Sequence, residues 1–141
     1  SLSAAVFAVM IVCMIVGMKF ASSISKNIRT SINAVGKIAD ICDYITLHIR
    51  EPLSISLLSK RLGYTEYYFS HKFKDVMGKS VNNYIRQKKT EEAKLLLSGT
   101  HMSISEISDE LSFSSRSYFF SSFQKETGMS PTKYRQLYAK S

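Results

Sequence analysis

The sequence predicts an all-α protein, and three observations predict it. Apolar residues recur at helical spacing along most of the 141-residue chain, and no segment reads as a strand. A unit of short helix, turn and longer helix is spelled twice. Residues 2–18, LSAAVFAVMIVCMIVGM, are apolar or small without one charge, so a helix there is hydrophobic on every face.

That apolar run comes first. At 1.5 Å per residue it covers about 25 Å, slightly under the ~30 Å hydrocarbon layer of a bilayer. Lys19, Lys26 and Arg29 follow at once, the basic flank of a cytoplasmic side, whereas a signal peptide carries its charge before the apolar run. Residues 1–22 therefore read as a transmembrane helix, with a buried helix of a soluble bundle as the competing reading. Residues 23–36 read as a juxtamembrane or dimerising linker helix, because Ile24, Ile28, Ile32 and Val35 form a narrow stripe. No Met opens the chain, as expected of a piece of a longer protein.

From Lys37 the pattern sharpens into a third helix, with Ile38, Ile41, Ile45 and Ile49 on one face and Glu51-Pro52 as its stop. Ser54 can cap a short helix to about Leu62, Gly63 supplies a turn, and Thr65 caps a helix through Met77 that closes at Gly78. A linker helix over 81–97 turns Val81, Ile85, Ala93 and Leu96 inward. The unit then recurs: Ser103 to Leu111, a turn at Ser112-Phe113, Ser115 to Thr127, and Gly128. Pro131 opens a last helix.

The repetition is close. Ile55 and Ser56 match Ile104 and Ser105 at a spacing of 49, while Phe73, Gly78 and Ser80 match Phe123, Gly128 and Ser130 at 50, so one residue is inserted. Two helices joined by a tight turn form a helix-turn-helix, whose second helix enters the major groove of DNA. Residues 54–78 and 103–128 would be two such units. Ser59 and Ser108 fall where the helices of each unit cross, which requires a small side chain. Leu62, Phe69 and Phe73 should face one core, and Leu111, Phe119 and Phe123 the other. Of the adjacent Tyr67 and Tyr68, the second is assigned to the core. Tyr67, Ser70, His71 and Lys74, with Arg116, Ser117, Phe120 and Ser121, are left outward. Two recognition helices on one linker could read successive groove segments about 34 Å apart.

The pairing of LSISLLSKRLGYTEYYFSHKFKDVMGKSVNNYIRQKKTEEAKLLL with ISEISDELSFSSRSYFFSSFQKETGMSPTKYR resembles the DNA-binding domain of the AraC/XylS family of bacterial transcription regulators, over Lys37 to Tyr138. The resemblance implies seven helices in a domain over 37–141, sequence-specific promoter binding, and activation through RNA polymerase. It places base reading on Tyr67, Ser70 and His71 in the first unit and on Arg116, Ser117 and Ser121 in the second. Three departures stand out. Ser59 and Ser108 replace the family's usual Ala, Ser112 replaces a turn Gly, and His71 and Ser121 stand where a basic side chain is common. Arg116 is left as the clearest bidentate reader of guanine.

The net charge of +8 points to an anionic partner. Residues 1–36 contribute +3 with no acid, and the rest +5. Lys72, Lys74, Lys79 and Lys125 are the phosphate-contact candidates, while Arg86 could instead join a carboxylate between the two halves. Cys13 and Cys42 lack a CxxC or a nearby His pair and read as buried thiols. The sequence offers no catalytic carboxylate pair, activated nucleophile, phosphate loop or metal cluster, so no enzyme and no cofactor are expected. No small-molecule site is evident. The expected partners are double-stranded DNA, RNA polymerase, a membrane through residues 2–18, and a second copy of the chain. A helical module that presents its basic face to an acidic protein is the alternative.

Overall fold

The structure, a computed structural model, describes residues 2–139. It has seven helices and, among the described residues, no strand: α1 Leu2–Leu47, α2 Ile55–Leu62, α3 Glu66–Met77, α4 Val81–Gly99, α5 Ile104–Glu110, α6 Arg116–Thr127 and α7 Pro131–Tyr138. The chain divides into two compact units, one up to Lys37 and one from Ile38 onward.

The three helices expected over residues 2–49 are one. Nothing between Met18 and Lys37 breaks a helix: there is no Pro, and Gly17 and Gly36 are absent from the positive-φ positions. The polar residues of this stretch are accommodated by bonding back to the helix, Ser22 Oγ to the Lys19 carbonyl and Thr30 Oγ1 to that of Lys26. Cys13 lies exposed on this helix, contrary to expectation, and only Cys42 is buried.

In the unit from Ile38 onward, Ser54 and Thr65 cap α2 and α3 as expected, and a Ser caps each of the later helices as well. Ser54, Thr65, Ser80, Ser103, Ser115 and Ser130 each accept from a backbone N–H of the first turn. Ser103 and Glu106 complete a reciprocal capping box. Gly63, Gly78 and Gly128 close helices in the left-handed conformation. The linker helix runs two residues past Leu97, because the Thr100 N–H and hydroxyl both satisfy the Leu96 carbonyl.

Two cores result, and α4 is shared between them. Its first half gives Val81 and Ile85 to a cluster with Ile38, Ile41, Ile45, Ile49, Leu58, Phe69 and Phe73. Its second half gives Ala93, Leu96 and Leu97 to a cluster with Ile107, Leu111, Phe119 and Phe123. The four Phe rings are fully buried, each worth roughly 1.5–3 kcal/mol of burial. Leu62, expected to face the first core, packs against it partly buried, while Leu58 is fully buried within it. Tyr68, also assigned inward, is 43% exposed and meets Tyr64 edge-on. The roll of α3 that buries Phe69 and Phe73 leaves Tyr68 at the rim.

Candidate nucleic-acid interface

The two copies of the unit correspond in their detail. Ser59 and Ser108 are both buried, as the close helix crossing requires. Their carbonyls accept from Tyr64 N and Phe113 N at 2.9 and 3.0 Å, so each small residue also ties down its turn. Gly63 at φ 69° has its counterpart in Ser112 at φ 49°, a left-handed conformation that costs a side chain about 1–2 kcal/mol. The caps Thr65 and Ser115 are already 50 apart, while Tyr64 and Phe113 are 49 apart, so the inserted residue is Ser114.

Ser112 is held from both sides. Its hydroxyl donates to the Arg50 carbonyl at 2.7 Å, and its own carbonyl accepts from Lys89 Nζ at 3.0 Å. Lys89 is only 7% exposed, and burial pushes its ammonium below the usual lysine range. The Arg50 guanidinium in turn reaches Glu92 at 2.7 Å and Glu110 at 2.9 Å. The turn after α1, the middle of α4 and the turn before α6 are thus fastened together. Periodicity does not reveal this network, because its bonded partners are 23 to 62 residues apart. The departure at Ser112 was its one visible trace.

On α3, Tyr67, His71 and Lys74 are exposed and Ser70 is half-buried. The Tyr67 and His71 rings lie 4.2 Å apart, and His71 Nδ1 is 3.0 Å from the Tyr67 carbonyl. A carbonyl only accepts, so Nδ1 carries the proton, and in the neutral ring Nε2 is an outward acceptor. That acceptor suits the amino groups of adenine or cytosine. On α6, Arg116, Ser117 and Ser121 are exposed, with Arg116 Cζ 5.8 Å from the half-buried Phe120 ring. The Ser121 hydroxyl donates to the Tyr118 carbonyl at 3.1 Å, which leaves its oxygen as an acceptor. Gln124, passed over in the sequence, is exposed on α6 at the position matching Lys74, and the spacing of 50 would have found it.

The basic run 72–89 divides. Lys74 and, on α6, Lys125 are exposed, and Lys72 is half-buried. Lys79 Nζ donates to Gln87 at 2.8 Å, and Lys88 pairs with Glu91 at 2.9 Å. Arg86 joins Glu126 at 2.8 Å, which ties α4 to α6. Among the described residues no cluster of His, Cys, Asp and Glu could hold a metal ion.

A helix-turn-helix domain model matches residues 58–137. A stretch of 99 residues, 70% of this chain, is 36% identical to an HTH-type transcriptional regulator of Staphylococcus aureus (strain COL) and covers 13% of that protein's length. Among solved structures, the C-terminal domain of AraT, a response regulator from Geobacillus stearothermophilus, matches at TM-score 0.71 and 26% identity, over 74% of this chain and 88% of that one. The DNA-binding domain of AdpA, a global transcriptional factor solved with a target DNA, shares the fold at TM-score 0.68 and 22% identity, over 72% and 91% of the two chains. The doubled unit, its two cores and these matches lead to one assignment: the chain belongs to the AraC-type helix-turn-helix family.

Proposed function

We propose that the domain over residues 37–141 reads two successive major-groove segments with α3 and α6 and activates transcription through RNA polymerase. The observation that carries this reading is the pair of helices with matching exposed faces on one linker. The 19 residues of α4 span about 28 Å at 1.5 Å each, close to the ~34 Å of one DNA turn. Tyr67, Ser70 and His71 contact bases in one segment, and Arg116, Ser117 and Ser121 in the next. Lys72, Lys74, Lys79 and Lys125 contact phosphates, which adds affinity and salt dependence without specificity. Selection of binding sites from random duplex DNA tests this: two informative blocks about one helical turn apart are expected, and a single block overturns it.

The regulator works, in this reading, at the cytoplasmic face of the cell membrane, tethered by residues 2–18 and acting as a homodimer. α1 contains a window long and apolar enough to cross a membrane, none of it buried, and Lys19, Lys26 and Arg29 flank it. High-salt and alkaline washing of membranes from cells expressing the chain tests the tether. Retention supports it, and release counts against it.

A further inference from the structure

Beyond the apolar run, α1 carries Ile24, Ile28, Ile32 and Val35, 43%, 54%, 67% and 50% exposed. At 3.6 residues per turn these four, with Ala21 and Gly17, share an arc of roughly 80°. Lys19, Lys26 and Lys37 fall on the opposite side, and no acidic residue occurs up to Lys37. A continuous exposed aliphatic line of this length needs a cover.

Lipid cannot be that cover. The helix does not break between Leu2 and Lys37, so if residues 2–18 cross a membrane the stripe continues along the same axis. Ile24 and Val35 then stand roughly 9 and 25 Å past Met18, in water. We propose that the cover is a second copy of the chain, packed parallel and in register along Gly17, Ala21, Ile24, Ile28, Ile32 and Val35. The proposal rests on the tethered reading: two copies inserted in one orientation present the same face at the same height.

The residue types along the line change where the surroundings change. Gly17 lies inside the apolar run, where helices associate by close backbone packing and small residues favour it. Ile24 to Val35 lie beyond Lys19, where burying aliphatic surface from water supplies the driving force. The charge pattern agrees. Each helix is cationic, yet Lys19, Lys26 and Lys37 lie opposite the seam and only Arg29 stands at its edge, in the groove with Ile24, Ile28 and Ile32. Pairing would hold two DNA-reading domains in one assembly and so raise the effective concentration of the second on the same DNA.

Single cysteines in a Cys13→Ser background test the seam in the 141-residue chain, with native Cys42 left in place because it is buried. Membranes carrying Ile24→Cys, Ile28→Cys or Val35→Cys, and separately Lys26→Cys or Thr30→Cys, are oxidised with copper phenanthroline. Disulfide-linked dimer from the stripe variants alone is the expected result. Equal dimer at all five positions, dimer only at Lys26 or Thr30, or none anywhere overturns the seam. Alkaline washing of the same samples reports on the tether separately. Stripe-specific dimer in a chain that washes off keeps the seam and removes the tether.

Discussion

Lys89 donates its ammonium proton to the Ser112 carbonyl at 3.0 Å, which places a buried cation against the one non-glycine residue with positive φ among those described. The first unit needs no such support, because Gly63 adopts the same turn without a side chain to strain it. In the second unit the serine hydroxyl bonds to Arg50, and the turn is held from both sides.

That arrangement separates the backbone cost of Ser112 from the value of its hydroxyl. Ser112→Ala keeps the strain and loses the bond, so it should destabilise the domain by about 1 kcal/mol. Ser112→Gly loses the bond but relieves the strain, and should be more stable than Ser112→Ala by about 1 kcal/mol. Urea unfolding of the two variants decides it. An alanine variant equal to or better than the glycine variant would refute the strain.

Arg86 and Glu126 join α4 to α6 with side chains 17% exposed each. Removing one partner strands a largely buried charge, so Glu126→Ala should cost about 2 kcal/mol, below the 3–5 of a fully buried pair. Arg86→Met with Glu126→Leu should cost less than the two single changes summed. Because Arg86 is not a phosphate contact in this account, the double variant should keep the wild-type salt slope of DNA binding. A slope reduced by about 1 would mean that Arg86 touches the backbone after all.

Arg116 and Lys74 should fail differently. Arg116→Ala is expected to cost about 1–3 kcal/mol at one base position and to relax the preference there. Lys74→Ala should weaken specific and random DNA alike and lower the salt slope by about 1. Fluorescence anisotropy titrations across salt, on the selected site and on scrambled DNA, separate the two. Uniform weakening by Arg116→Ala removes it from the base readers.

Tyr84 gives the domain an alkaline limit. Burial, and then the hydrogen bond with Cys42, pushes its hydroxyl from the ordinary 10.0 up to about 12. The folded value lies above the unfolded one, so the folded domain holds this proton more tightly. Its contribution is complete below pH 10 and disappears as pH climbs toward 12. Tyr84→Phe should flatten the fall in stability across that window. An unchanged fall in thermal midpoint would place the alkaline sensitivity elsewhere.

Ser108 is 1% exposed at the helix crossing of the second unit. Ser108→Ala should shift stability by less than about 1 kcal/mol, whereas Ser108→Leu forces the helices apart at about 1–3 kcal/mol or more. Calorimetric midpoints of the two variants show whether size rather than the hydroxyl is what the position demands.

Much of this molecule is legible in its order of residues. Helix starts follow from Ser and Thr caps, helix ends from Gly63, Gly78 and Gly128, and the two cores from Phe residues at matched spacing. All of these are local, within one or two turns of the chain, and local chemistry does not depend on what packs nearby. The doubling itself pointed to the fold class and to the face that carries Arg116 and His71.

Tertiary structure decided what depends on distant partners. It left Tyr68 at the rim and buried Lys89 in a run of lysines that reads as a solvated face. It gave Ser112 its two partners, one from 62 residues back and one from 23. Spacing along one helix can say which residues share a face. Which of them lose their water, and which carbonyl meets a buried ammonium, is determined by how the seven helices pack, because desolvation and long-range hydrogen bonds exist only once separate segments meet.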